Sequence, residues 1–311
     1  MAVIVDCQNL IKIHKQGNLE VVALQGLDLV MEQGEFISIV GASGAGKSTL
    51  LTILAGFDKP SAGKAVVADT DLTEIEPKQL TRYYRRDVGF VWQDFTRNLL
   101  PYLNAIQNVE LPLLLGGISR SKRRKRSMAL LEAVGLRGKA HSSVHTMSGG
   151  EQQRLALCVA LAPGPKLLLA DELTGELDTE TSLEIFELLR QLSHEGGLSV
   201  LVVTHDLAIA NRSDRVVRIA DGRIATQSRL GAVEHASVDN RGMVQLPRDM
   251  MIEAGIDESV RIKIVPEGLL LVAGAAEYVG DTWDLQRTRH DDSRNRGVET
   301  VRNARQAAQR V

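Results

Sequence analysis

The stretch GASGAGKST at 41–49 constrains this chain more than any other. It sets Gly41, Gly46, Lys47 and Ser48 at the fixed positions of G-x-x-x-x-G-K-[ST]. An apolar run, FISIV at 36–40, precedes it, and a helical pattern over about 47–56 follows. Strand, glycine-rich loop and helix in that order form an anion cradle. Glycines let successive N–H groups turn inward, and the helix N-terminus adds a favourable dipole. The phosphate-binding candidates are Gly41, Ala42, Ser43, Gly44, Ala45, Gly46, Lys47, Ser48 and Thr49. Lys47 supplies a point charge for β- and γ-phosphates, and the Ser48 hydroxyl suits Mg²⁺. A glycine-rich turn with no ligand is the plainer alternative. It is disfavoured because every fixed position and the flanking context are satisfied.

A matching acid site stands at KLLLADE, 166–172. A buried aliphatic strand ending in two carboxylates delivers them to the C-terminal edge of a parallel sheet, where ligands bind. Asp171 then belongs to the magnesium shell, and Glu172 is placed to orient and deprotonate an attacking water. Taken alone the pair could equally cap the next helix. Downstream of a phosphate cradle, the catalytic reading is preferred.

The rest of the 311-residue chain fits an ordered α/β protein. Short aliphatic runs (FISIV, VGFVW at 88–92, LLLA at 167–170, VLVVT at 200–204) alternate with helical stretches, as in a largely parallel sheet. The region of about 94–148 reads as an inserted helical subdomain. Periodicity weakens after Arg223, and 231–237 reads as a linker. The net charge of −2 excludes a chain-wide electrostatic nucleic-acid binder. Two distant cysteines, Cys7 and Cys158, point to a reducing compartment and to no disulfide or metal framework. The first residues lack the features of a signal peptide, and no window of about 18 uninterrupted apolar residues exists to span a membrane. A cytoplasmic location is expected.

Further motifs then converge. MSGGEQQR at 147–154 resembles the signature motif of the ATP-binding cassette (ABC) family, and Gln93 after VGFVW matches that family's Q-loop. ELD at 176–178 matches its D-loop, and THD at 204–206 sets His205 at its switch histidine. The resemblance covers about 3–223 and implies a P-loop NTPase fold of the ABC type with ATP and Mg²⁺ as ligands. It implies a head-to-tail dimer in which ATP on one P-loop meets Ser148, Gly149 and Gly150 of the other copy. It further implies catalytic roles for Glu172, His205, Gln93 and Lys47, magnesium ligands at Ser48, Gln93 and Asp171, and a nucleotide-facing Asp178. From the residues alone, Ser148 with Glu151 makes a capping box, and both readings can hold together.

The departures are specific. Leu173 stands where the family usually has proline, Glu176 replaces a small or amide residue, and Val159 replaces an arginine. His14 occupies the place of an adenine-stacking tyrosine, where imidazole would stack over less area; an ordinary surface histidine is the alternative. None of these removes a catalytic group.

NLLPYLNAIQNVELPLLL at 98–115 is similar to the corresponding segment of lipoprotein-release, macrolide-export and cell-division ATPases. That likeness implies an integral-membrane permease partner, with coupling helices meeting the Q-loop and helical subdomain at the inner face of the membrane. Phe95, Leu99, Leu100 and Tyr102 are candidate contacts, or else a small satellite core. RSKRRKR at 120–126 reads first as a solvated helix face and second as a lipid-headgroup contact.

VDNRGMVQLPRDMMIEAGI at 238–256, followed by VRIKIVPEGLLLV at 260–272, resembles the swapped-hairpin (AbrB-like) fold. That implies a small, mainly β C-terminal domain at 238–272. Such a unit is too small to bury its own core and normally interleaves with a second copy. Its fold family often binds DNA, so a soluble ABC-type regulator holding nucleic acid through the hairpin is the alternative function. Four basic residues against six acidic ones over 238–272 lack the basic patch that DNA requires. Dimerisation is therefore preferred. The region 273–311 is polar and Arg-rich, and is expected to be disordered.

Overall fold

A computed structural model of the chain describes residues 2–17, 19–173, 177–229, 235–236, 246, 251–252, 256, 260–265 and 268–273. The chain divides into two compact units, Met1–Gln245 and Leu246–Val311.

The first unit opens with two long strands, β1 (Val3–Gln16) and β2 (Leu19–Glu32), then β3 (Phe36–Val40) and α1 (Lys47–Leu54). Next come β4 (Ala62–Val67), β5 (Thr70–Asp71), α2 (Pro77–Arg86) and β6 (Val88–Val91). A helical insertion carries α3 (Ala105–Leu115) and α4 (Arg120–Ala133), and is followed by α5 (Gly149–Leu161) and β7 (Leu167–Asp171). The unit continues with α6 (Thr179–His194), β8 (Ser199–Val203), α7 (Leu207–Ala210), β9 (Arg215–Ala220), β10 (Arg223–Arg229) and β11 (His235–Ala236).

Two sheets organise this unit. The larger runs β11-β10-β9-β3-β8-β7-β6, and the pairs β9/β3, β3/β8, β8/β7 and β7/β6 are parallel. Every residue of β3, β6, β7 and β8 is buried, as expected of parallel strands covered on both faces. Alternate side chains feed opposite cores. Ile37, Ile39, Leu167, Leu169, Leu201 and Val203 pack with α1 and the antiparallel sheet. Phe36, Leu168, Ala170, Val200 and Val202 pack with α5 and α6. This two-sided packing holds the ends of β3, β7 and β8 in register, with Asp171 opposite Val203.

The smaller sheet, β2-β1-β4-β5, is antiparallel throughout and was not expected from the sequence. At the end of the unit, where the sequence periodicity weakens, β10 pairs with β9 from Arg223 to Arg229. His235 and Ala236, inside the expected linker, pair with Gln227 and Thr226.

In the second unit, β12 (Val260–Val265) and β13 (Gly268–Ala273) form an antiparallel hairpin. Most of the expected AbrB-like pattern at 238–259, and the expected disordered tail beyond Ala273, lie outside the described residues.

Candidate active site

The phosphate cradle links β3 to α1. Gly46 caps the helix in a left-handed conformation, φ 102°, and a Cβ there would lie 2.4 Å from the Ala23 carbonyl oxygen. Only glycine fits such a turn against β2. Gly41 meets the same limit, since its Cβ would lie 2.1 Å from the Ile219 carbonyl oxygen. Ala42, Ser43 and Gly44 form the exposed crest of the loop, Ala45 and Gly46 are buried, and Ser48 is exposed. Lys47 Nζ donates to the Gly41 and Ala42 carbonyls at 2.9 and 2.8 Å. The ammonium is thus folded back along the loop that its charge must serve. Thr49, the third residue of the helix, is half-buried.

Asp171 ends β7 and faces this loop. Burial raises its pKa above the ordinary aspartate range, and the neighbouring Glu172 charge raises it further. A hydrogen bond from Ser48 and the charge of Lys47 act in the opposite sense. A hydroxyl and a desolvated carboxylate side by side form a hard oxygen donor pair, the chemistry that Mg²⁺ selects. The residues present therefore fit the ion.

Glu172 adopts a left-handed backbone, φ 52°. Its N–H donates to the Val203 carbonyl at 3.0 Å, and its carbonyl accepts from Gln153 Nε2 at 3.4 Å. These bonds from β8 and α5 hold a conformation that a non-glycine residue rarely adopts. Leu173, in the place of the family's proline, is fully buried among the α5–α6 residues and anchors the chain on the far side. The Glu172 carboxylate accepts from Gln93 Nε2 at 2.8 Å and lies 3.8 Å from His205 Nδ1. Gln93, Glu172 and His205, far apart in the chain, thus meet around one carboxylate. Glu172 is 29% exposed and His205 71% exposed, so water reaches the group.

The remaining candidates lie elsewhere in the unit. Ser148 caps α5, its Oγ accepting from Glu151 N–H while Glu151 bonds back to Ser148 N–H. Gly149 and Gly150 form the first turn, so the helix start presents backbone N–H groups. Asp178 caps α6 and accepts from both Thr181 N–H and Thr181 Oγ1, which keeps its carboxyl below the ordinary range. His14 is exposed and pairs with Val21, two residues before the Ala23 carbonyl that touches Gly46. Glu176 lies outside the described residues.

Two sequence readings are corrected. Leu99 is a buried core residue rather than a surface contact, whereas Tyr102 is exposed and Phe95 only packs against the core. The 120–126 run is not simply a solvated face. Arg123 and Arg124 approach Glu110, and Arg126 donates to the Ala162 carbonyl at 2.6 Å. Gln153 was missed as a site residue. It sits within MSGGEQQR, but nothing in its type or spacing marks which of the two glutamines reaches Glu172.

A P-loop facing two strand-end carboxylates, with a capped glycine-rich helix start elsewhere in the same unit, defines an ATP-binding cassette. The ABC transporter family pattern matches residues 24–175. An ABC transporter ATP-binding protein of Thermotoga maritima is 44% identical over 222 residues, covering 71% of this chain and 94% of that one. The lipoprotein-releasing system ATP-binding protein LolD of Ruegeria pomeroyi is 49% identical over 209 residues, covering 67% and 91%. The dimeric post-hydrolysis structure of the cassette MJ0796, bound to ADP and Pi, superposes with a TM-score of 0.70 at 38% identity. It covers 74% of this chain and 100% of that one. The chain belongs to the ABC transporter family, as an ATP-hydrolysing subunit.

Proposed function

We propose that this chain drives a membrane permease of the lipoprotein-release or macrolide-export class, working as a head-to-tail dimer on the inner face of the membrane. The observation that carries the reading is the Gln93–Glu172–His205 cluster beside the P-loop. The likeness to LolD supports the branch, and the dimeric MJ0796 cassette supports the pairing.

The residues divide the work as follows. The loop from Gly41 to Thr49 surrounds the phosphates with N–H groups, and Lys47 turns from its two carbonyls to the β- and γ-phosphates. Ser48, Asp171 and the Gln93 amide oxygen would hold Mg²⁺, which neutralises phosphate charge when bound. Glu172 orients the attacking water and takes its proton, with Gln93 and His205 fixing the carboxylate. His205 then contacts the γ-phosphate, and His14 stacks on adenine. Ser148, Gly149 and Gly150 close over the nucleotide of the second copy, and Asp178 lies at the junction of the two.

The permease would dock on the helical insertion, where a groove of about 640 Å³ lies between α2 and the end of α3. Lys78, Arg82, Arg85 and Arg86 line one wall, and Pro112, Leu113, Leu115 and Ile118 the other. Lys78–Arg82 and Arg82–Arg86 are like-charge pairs one turn apart, each costing the helix about 0.2–0.5 kcal/mol. Charges kept at that cost suit an acidic, amphipathic coupling segment. Among the described residues no helix is long and apolar enough to cross a membrane, so in this reading the permease supplies the membrane passage. The nucleic-acid alternative is set aside on the acidic balance of 238–272.

Affinity isolation from native membranes tests this reading. The expected co-isolate is an integral-membrane permease, and its yield should fall several-fold with Arg82→Glu plus Arg85→Glu. Isolation with no membrane protein, or with nucleic acid in its place, would overturn the assignment.

A further inference from the structure

β6 is the outer strand of the seven-stranded sheet, with β7 as its only strand neighbour among the described residues. An edge strand leaves N–H and C=O groups that must find partners. Here a side chain provides them. Asn98 Oδ1 accepts from Trp92 N–H at 3.0 Å, and Asn98 Nδ2 donates to the Phe90 carbonyl at 2.7 Å. One carboxamide thus bonds two residues spaced as i and i+2, as a neighbouring strand would.

The Trp92 ring is fixed as well. It stacks on Phe57 with centroids 5.0 Å apart and planes at 11°, and Arg97 places its guanidinium 3.5 Å from the ring centroid. Arg97 and Asn98 belong to the same short 3-10 turn, Phe95–Asn98, which Asp94 caps through Thr96 N–H. The residue immediately before Gln93 is therefore held by its backbone and on both ring faces. Gln93 in turn donates to Glu172 across 79 positions of sequence.

We propose that Asn98, assisted by Arg97, is a positioning residue for hydrolysis. It acts as a surrogate β-strand that fixes the chain at Trp92, so that Gln93 meets the Glu172 carboxylate. Asn98 acts through the Trp92 and Phe90 backbone rather than on the reacting groups. The inference rests on Glu172 and Gln93 forming the hydrolytic centre.

Trp92 reports on its own environment, because Trp283 is the only other tryptophan and Trp283→Phe leaves a single fluorophore. In that background, full-length Asn98→Ala should lower kcat for ATP about tenfold, with KM changed by less than about twofold, because a misplaced group costs rate rather than binding. Trp92 emission should shift to the red and become more easily quenched by acrylamide. Asn98→Asp keeps an acceptor for Trp92 N–H but loses the donor to Phe90, and should show the same direction. Arg97→Lys removes the planar stack at an exposed position, keeps the charge, and should give a smaller loss of the same kind even if Asn98→Ala fails to fold. Unchanged turnover and unchanged Trp92 emission in these variants would overturn the role of Asn98. Full turnover in Glu172→Gln would instead overturn the centre on which it rests.

Discussion

Gln93 and Glu172 meet at 2.8 Å, the first leaving β6 and the second leaving β7, so a hydrogen bond between adjacent strand ends closes the proposed hydrolytic site. The bond runs from amide to carboxylate, and the acceptor must be charged to serve as a base. Glu172→Gln keeps the shape and removes the proton acceptor. It should retain ATP while slowing hydrolysis about 10²–10⁴-fold, the usual share of a general base. Rapid-quench turnover beside nucleotide retention on a spin column would check both halves. Near-normal turnover would remove Glu172 from the base role. Lys47→Ala should behave differently, losing nucleotide affinity itself.

Asp171 predicts how the nucleotide-free protein responds to pH. Burial raises its folded pKa, with the Glu172 charge adding to the effect. A carboxyl whose folded pKa exceeds its unfolded value of about 3.9 favours the folded state below that value. This contribution is lost as pH rises through the higher folded value. Asp171→Asn cannot lose a proton. Its melting temperature should match the natural protein in acid and rise above it as pH approaches neutrality, in magnesium-free buffer. Calorimetry across that range is the check, and an Asp171→Asn protein that melts lower than the natural one at neutral pH would contradict it.

What the sequence could reveal follows from the physics of each part. β3, β6, β7 and β8 are legible because strands buried on both faces must be continuous apolar runs. The β2-β1-β4-β5 sheet is not, because β1 and β2 contain register shifts, as between Cys7 and Leu10, that break the period of two. Thr226 in RIATQSR is buried, yet it does not read as core by type. The cradle is legible because its chemistry is local to nine residues, 41–49. Glu172 is legible as a strand-end carboxylate downstream of the cradle, whereas Gln93, 79 positions away, gains meaning only through the family's motif order. Asn98 gives no signal, because completing a sheet edge is a property of the folded sheet.

The hairpin of the second unit leads to the last prediction. Among the described residues β12 and β13 pair only with each other, and Ile262 on β12 is 65% exposed. Two strands alone are marginal in water, so an apolar residue left open on such a hairpin calls for a partner. In the proposed head-to-tail arrangement the cassette uses a second copy for its chemistry, and a C-terminal tether would keep two copies together after ATP is spent. Removing residues 238–311 should therefore weaken the nucleotide-free dimer at least about tenfold, equivalent to about 1.4 kcal/mol. The Gln93–Glu172 cluster lies wholly in the first unit, so hydrolysis per ATP-bound dimer should persist. Sedimentation equilibrium without nucleotide, beside turnover at saturating ATP, separates the two effects. A truncated chain that dimerises as tightly as the full one would exclude the tether, and one that dimerises normally but no longer hydrolyses ATP would place the second unit in catalysis instead.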